Sequence, residues 1–283
     1  MGELKVILLG SGDRKPGLLP EADRLRPIIE QVAEIVCEDF FYEKDLSGFS
    51  ANMAIVLGGD GSILRAAKQL GAKQLPVLGV NLGKLGFLAS LQPEDLGTAL
   101  RCVVNKEFRI VDHLMMRCQV IRDSKIIYDE LGVNEASILG GPPFSMQDIE
   151  LFVDDEHATS FACDGLIIST PVGSTAHNLS AGGPILRKDL QAFVISPISP
   201  HTLTVRPVVD TADRIYEIVV SKPNESTCIV LDGQVLTRLT SADRVRVTKA
   251  ESVFQLIEIK GQTYYRTLRE KLGWGGEFSK KKP

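Results

Sequence analysis

A chain of 283 residues has room for one large domain or two ordinary ones, and it can bury a sizeable core. Hydrophobic residues at 44% and charged residues at 24% exclude a disordered or fibrous chain. A formal net charge of −4 and an aromatic content of 6% argue against a bulk nucleic-acid binder and against a base-stacking platform.

No apolar run approaches the ~20 residues that span a bilayer, so no membrane segment is expected. Met1 to Lys5 leads into a short apolar stretch without the core and cleavage site of a signal peptide. Gly2 invites myristoylation, but Val6 stands where Ser or Thr is wanted. Five scattered cysteines (Cys37, Cys102, Cys118, Cys163, Cys228) suggest packed thiols in a reduced cytoplasm rather than a disulfide framework or zinc site.

The first third alternates short apolar runs with helical spacing. Val6 to Leu9 reads as a buried strand followed by a turn at Gly10 to Asp13, and Leu25 to Val36 as a helix with Leu25, Ile28, Ile29, Val32 and Ile35 on one face. Ala54 to Leu57 and Pro76 to Val80 read as strands, and Ser62 to Leu70 and Glu94 to Val104 as helices. Fully apolar strands alternating with helices predict a parallel sheet covered on both faces.

After about Asp112 the texture changes to short runs bounded by turn residues. Met116, Cys118 and Val120 alternate with Arg117, Gln119 and Ile121. Further runs fall at Ile126–Tyr128, Ala136–Leu139, Ile149–Val153, Leu166–Ser169, Phe193–Ile198, Tyr216–Val220, Cys228–Leu231, Val245–Thr248 and Phe254–Ile259. That pattern predicts an antiparallel, sandwich-like domain. Thr263 to Leu272 returns to helical spacing. The expected organisation is a Rossmann-like α/β domain over 1–112, a β-sandwich over 113–262, and a C-terminal helix and tail over 263–283.

Gly58-Gly59-Asp60-Gly61-Ser62 sits between an apolar strand and a helix. Ligands bind at the carboxyl ends of parallel strands, where glycines and free N–H groups admit a phosphate. A carboxylate there would repel phosphate unless it has a task, such as accepting a proton from an attacking hydroxyl or holding Mg²⁺. The plainer alternative is a tight turn with Asp60 as a helix cap. Walker A and Gly-x-Gly-x-x-Gly patterns are absent.

The second dense segment runs from Asp164 to Pro184 and includes Thr170-Pro171-Val172-Gly173-Ser174-Thr175-Ala176-His177-Asn178-Leu179-Ser180. It reads as a strand end and turn offering N–H groups and hydroxyls to a polar ligand, with Ser174 or Thr175 able to cap a short helix. A Ser/Thr-rich hairpin loop is the competing reading. A nucleophile elbow is excluded, because no glycine follows Ser174 at the required spacing. His113 and His157 read as packing or surface residues, and His177 and His201 lie in motif-like contexts. The four histidines show no metal-ligand spacing, and no metal-ligating residues are singled out.

Together these segments resemble the NAD kinase family. The likeness rests on Gly58–Gly61, Asn81-Leu82-Gly83-Lys84-Leu85-Gly86-Phe87-Leu88, Asn134-Glu135, Asp164–Pro184, Pro197–Leu203 with Arg206-Pro207, and Asp232-Gly233-Gln234. The glycine turn alone is shared with other kinases; the 164–184 segment is the specific part. The resemblance implies a Rossmann-like domain joined to a β-sandwich, with the C-terminal helix returning to the first domain and the active site between domains. It implies transfer of the γ-phosphoryl of ATP to the 2′-hydroxyl of the adenosine ribose of NAD, a divalent cation (Mg²⁺), and a homodimer or homotetramer.

By the same resemblance Asp60 is the general base, and Gly58, Gly59, Gly61 and Ser62 cradle the donor phosphates. NAD is expected to meet Gly61, Arg65, Phe87, Asn134, Glu135, Asp164, Val172, Thr175, Ala176, His177, Asn178, Leu179, Ser180 and Gln234. Val172 stands where the family often has Thr, His177 where it has Tyr, and Ala162 where some members carry a basic residue. Two other readings stay open: a non-catalytic NAD(P) sensor, and a lipid or sugar kinase sharing the glycine turn.

Overall fold

The computed structural model describes residues 4–13, 17–83, 86–142, 145–259 and 264–273. The chain forms two compact units, Met1–Val111 with Gln255–Pro283, and Asp112–Phe254. Strands β5 (Phe108–Arg122) and β16 (Asp243–Ile259) carry the chain from one unit into the other.

The first unit is built on parallel strands β1 (Leu4–Gly10), β2 (Ala33–Asp39), β3 (Met53–Leu57) and β4 (Val77–Val80), in the order β2-β1-β3-β4. The end of β16 extends this sheet, with Leu256 beside Val77 in parallel register. Helices α1 (Leu18–Glu30) and α3 (Leu96–Val104) share one core with Val6, Leu8, Ile55 and Leu78. Helix α2 (Asp60–Leu70) covers the other face, where Ile63 lies over Gly79. Helices therefore cover both faces, as continuous apolar strands require.

The structure corrects one element here. The helical spacing read over Leu25–Val36 joins two different elements, because α1 ends at Glu30 and β2 begins at Ala33. Val32 and Ile35 continue the helical period by coincidence, while residues 33–35 pair with Leu4, Lys5 and Val6 of β1.

In the second unit, β6 (Lys125–Gly132) pairs with β5, β8 (Gln147–Val153) joins β9 (Glu156–Cys163) to β13 (Tyr216–Val220), and β13 pairs with the start of β16. A second antiparallel sheet has the order β12-β11-β10-β7-β14-β15. Its strands are β7 (Glu135–Leu139), β10 (Gly165–Ser169), β11 (Ala192–Ile198), β12 (Val208–Thr211), β14 (Cys228–Leu231) and β15 (Gln234–Arg238). Met116, Cys118, Ile149, Ile218, Ile168 and Phe193 from the two sheets pack into one core, which makes the sandwich. The runs at Val245–Thr248 and Phe254–Ile259 belong to the single strand β16.

A short helix α4 (His177–Ser180) interrupts the second unit, and α5 (Tyr264–Leu272) ends the described chain in the first. Thr263 lies outside the described residues. No helix among the described residues is long and apolar enough to cross a membrane. The five cysteines are free thiols. His113 is fully buried against Phe254, and burial pushes its pKa down to about 4, as a neutral packing residue would have it.

Candidate active site

The glycine turn of the first unit leaves β3 at Leu57 and enters α2 at Asp60. Gly58 has φ +143°, and a Cβ there would fall 2.2 Å from Ser62 Oγ, so only glycine lets the turn close. Gly58 N–H donates to Val80 O at 2.9 Å and Ser62 N–H to Gly59 O at 2.9 Å. The N–H groups of Gly59, Asp60 and Gly61 donate to no carbonyl outside α2 among the described residues. These are the first-turn donors that a helix cannot satisfy itself. Gly59 and Gly61 both face open space where a side chain would stand. Within the expected cradle of Gly58, Gly59, Gly61 and Ser62, the N–H groups of Gly58 and Ser62 are thus engaged within the protein, and those of Gly59 and Gly61 are not bonded to a carbonyl outside α2 among the described residues.

Asp60 does not cap the helix. Gly59 holds the N-cap position and Asp60 is the first helical residue. Its carboxylate turns instead to the chain after β4: Oδ2 accepts from Phe87 N–H at 2.7 Å, and Oδ1 from Leu88 at 2.8 Å and Ala89 at 3.0 Å. Gly86 permits this approach, because a Cβ there would lie 2.1 Å from Asp60 Oδ1. The three donors fix the carboxylate's direction. Oδ2, with one of its two lone pairs engaged, keeps the other for a further partner.

Arg65, one turn along α2, is already engaged. Its Nη1 lies 2.7 and 3.0 Å from the two oxygens of Asp13, and its guanidinium stacks 4.1 Å from the centre of the Tyr42 ring. Phe87 is half-buried, with the Lys271 ammonium 5.6 Å from its ring centre. Lys84 and Leu85 of the same motif lie outside the described residues.

In the second unit Asn134 and Glu135 sit where β7 begins. Asp232 organises them: its Oδ2 accepts from Val133 N–H at 2.8 Å, and its Oδ1 from Asn134 at 2.7 Å and Glu135 at 3.1 Å. Asp232 and Gly233, at φ +48° and +76°, form the two-residue turn between β14 and β15, and Asp232 N–H returns a bond to Glu135 O. The Asn134 side-chain amide bonds to none of the described residues. Glu135 is buried, with Oε2 unpartnered. Burial, reinforced by the Asp232 carboxylate and opposed by the His177 N–H, pushes its pKa up to about 8. At neutral pH Glu135 therefore carries a proton and can donate as well as accept.

The 164–184 segment divides into structural and accessible residues. Asn178 is fully buried: it donates to Ser174 O and Pro184 O and accepts from Ser196 Oγ at 2.7 Å. Val172 is buried as well. Packing and internal hydrogen bonds engage both of these side chains, so what they present to a ligand is their backbone and their place in the loop. The expected Ser/Thr cap is also not made. Ser174 Oγ donates to Pro171 O and accepts from Leu186 N–H, and Thr175 Oγ donates to Val172 O. Thr175, Ala176, His177 and Leu179 are half-buried, and Ser180 and Asp164 are exposed. Gln234 opens β15 and is half-buried.

Asp13 and Tyr42, which no motif singles out, hold Arg65, and Asp232, quoted in the Asp232-Gly233-Gln234 motif without a role, organises the Asn134–Glu135 turn. Only Asp232 had a local signal, as the Asp-Gly of a hairpin turn. Among the described residues no group of three or more His, Cys, Asp or Glu converges as a metal cage.

Residues 32–108 match the family model described as the ATP-NAD kinase N-terminal domain, and residues 133–259 that of the ATP-NAD kinase C-terminal domain. An NAD kinase of Rhodopirellula baltica is 54% identical over 275 residues, covering 97% of this chain and 88% of that protein. An NAD kinase of Geobacter metallireducens is 41% identical over 225 residues, 80% of each chain. Among solved structures, yeast NADH kinase complexed with NADH aligns with a TM-score of 0.86 at 21% identity, over 99% of this chain and 91% of that one. An Archaeoglobus fulgidus NAD kinase in complex with ATP aligns at 0.76 and 24% identity, over 95% and 98%. The two structures establish the fold, and the family matches leave the lipid- or sugar-kinase reading without support. On the two domain matches and these identities, the chain belongs to the NAD kinase family.

Proposed function

We propose that this chain transfers the γ-phosphoryl of ATP to the 2′-hydroxyl of the adenosine ribose of NAD, giving NADP and ADP, with Asp60 as general base. The observation that carries this reading is the Asp60 carboxylate, held by three N–H groups beside the open donors of Gly59, Asp60 and Gly61. A protein that only sensed NAD would gain nothing from a carboxylate kept beside phosphate-seeking donors.

In the step itself the ribose oxygen bonds to the γ-phosphorus as the bond from that phosphorus to the ADP oxygen breaks. The hydroxyl proton passes to Asp60 Oδ2. Such general-base help contributes about 10²–10⁴ in rate. The N–H groups of residues 59–61 hold donor phosphate oxygens, and alignment supplies much of the remainder. Gly61, Arg65 and Phe87 in the first unit serve NAD and its phosphates. In the second, Asn134 and protonated Glu135 offer donors and acceptors suited to a ribose diol. Asp164 and the backbone around Thr175, Ala176, His177, Leu179 and Ser180 take the remaining polar edges, with Gln234 beside them.

A divalent cation, Mg²⁺ by expectation, fits the site as a substrate-borne ion. Mg²⁺ usually keeps several waters and binds substrate phosphates, so the donor's phosphate oxygens would carry it while the open lone pair of Asp60 Oδ2 stays with the hydroxyl proton. When bound it neutralises phosphate charge. A homodimer or homotetramer working in the cytoplasm completes the reading.

The test is direct: purified protein with NAD, ATP and MgCl₂ should form NADP at a rate proportional to enzyme. Binding of NAD without any NADP would instead make the chain a sensor.

A further inference from the structure

The surroundings of Arg65 show a site held ready for an anion. Its side chain is only 15% exposed, yet only Nη1 is engaged; Nε and Nη2 hydrogen bond to none of the described residues. A guanidinium presents five donors in a planar fork suited to phosphate. Its carboxylate partner, Asp13, is 41% exposed, so water reaches the pair.

The plane of the fork is fixed from below. Tyr42 stacks under it at 4.1 Å, donates its phenol proton to Ser62 O at 2.9 Å, and lies 3.3 Å from Ser11 Oγ. Ser11 Oγ is also 3.0 Å from Ser62 Oγ, so the loop after β1, the loop after β2 and the first turn of α2 share one small network. Tyr42 has φ +59°, a left-handed conformation that is strained for a bulky residue. The fold keeps this strain, and its visible result is a flat ring beneath Arg65.

We propose that Asp13 is a placeholder carboxylate, displaced from Arg65 when a substrate phosphate binds, and that Tyr42 positions the guanidinium for the exchange. In the free protein Asp13 neutralises the half-buried cation. On binding, phosphate oxygens take over Nη1 and engage the donors that Asp13 leaves unused, while the carboxylate turns to solvent. Asp13 thereby weakens binding of the incoming anion by the strength of the pair it must break. The proposal rests on the reading above that gives Arg65 to the phosphates of NAD, and the experiment carries ATP beside NAD so that the source of the anion is read directly.

The experiment measures KM for ATP and for NAD separately in wild type, Asp13→Asn, Arg65→Ala, Tyr42→Phe and Tyr42→Leu. Asp13→Asn is expected to lower one KM by about 2- to 5-fold, the worth of an exposed ion pair. Arg65→Ala is expected to raise the same KM by about 10-fold or more. The substrate whose KM moves is the one Arg65 serves. Tyr42→Leu should raise that KM while Tyr42→Phe, which keeps the ring, stays close to wild type.

A binding readout independent of turnover is the thermal shift with inorganic tripolyphosphate, expected in the order Asp13→Asn, then wild type, then Arg65→Ala. An unchanged or raised KM for both substrates in Asp13→Asn would overturn the exchange and leave Asp13 a structural tie. Equal tripolyphosphate shifts in wild type and Arg65→Ala would overturn Arg65 as the receiver. Wild-type NADP formation tests the kinase reading by itself, so the two ideas fail separately.

Discussion

The Phe87 amide and the Asp60 carboxylate lie 2.7 Å apart, and that bond ties the first residue of α2 to the chain that follows β4. With Leu88 and Ala89 adding two bonds to the other oxygen, the carboxylate has one accessible direction left rather than a cone of rotamers. A base held in this way needs no reordering when a hydroxyl arrives.

Gly86→Ala tests that positioning without touching the carboxylate. The new Cβ would meet Asp60 Oδ1 at 2.1 Å, so the side chain must leave its three donors. The expected outcome is a fall in kcat of about 10-fold or more with NAD affinity little changed, read by steady-state kinetics and by titration. Full activity in this variant would mean that Asp60's direction does not matter.

Gly61→Ala should separate stability from function. Gly61 lies in the first turn of α2 and faces open space, so alanine gains helix propensity worth up to about 1 kcal/mol. The same methyl intrudes where a phosphate is expected. A raised Tm together with a reduced kcat/KM for ATP is predicted; a raised Tm with unchanged kinetics would free that space of any ligand role.

Glu135 predicts a pH dependence. Its folded pKa of about 8 lies above the ordinary 4.5, because of burial first and the Asp232 carboxylate second. The folded state then holds a proton that the unfolded chain has released, so stability is full below pH 4.5 and falls as pH rises towards 8. The loss is on the order of a few kcal/mol. Glu135→Gln removes this titration, so its Tm relative to wild type should improve steadily between pH 5 and 8, whatever fixed cost the amide brings. A constant difference across that range would show that Glu135 is ionised throughout.

Asp232→Ala should loosen the Asn134–Glu135 turn, since it deprives the N–H groups of Val133, Asn134 and Glu135 of their shared acceptor. A loss of about 3 kcal/mol, or about 6 °C in Tm, is expected by thermal melting. Weaker NAD binding should accompany it. A variant as stable as wild type would mean that the turn holds itself.

The parallel strands and the glycine turn are legible because each is local, an apolar run or a glycine cluster, whereas Asn134-Glu135 is picked out only by the family resemblance. β2 is not legible, since Val32 and Ile35 happen to extend the helical period of Ile28 and Ile29. The strands β9, β12 and β15 carry mixed, partly exposed residues with little alternation to read. At the site, Asp232 reaches residues 97 to 99 positions away and Asp13 reaches one 52 away, and no window of sequence contains such pairs. Asn178 shows the converse, because nothing in a polar loop sequence says that its side chain turns inward to Ser196.

The most direct measurement is single-turnover NADP formation by Asp60→Asn beside its NAD affinity and Tm. The asparagine keeps the size of the side chain and removes its capacity to take a proton. The account predicts a fall in rate of about 100-fold or more with NAD still bound. Turnover within a few-fold of wild type, in a folded protein that binds NAD, would contradict Asp60 as the base.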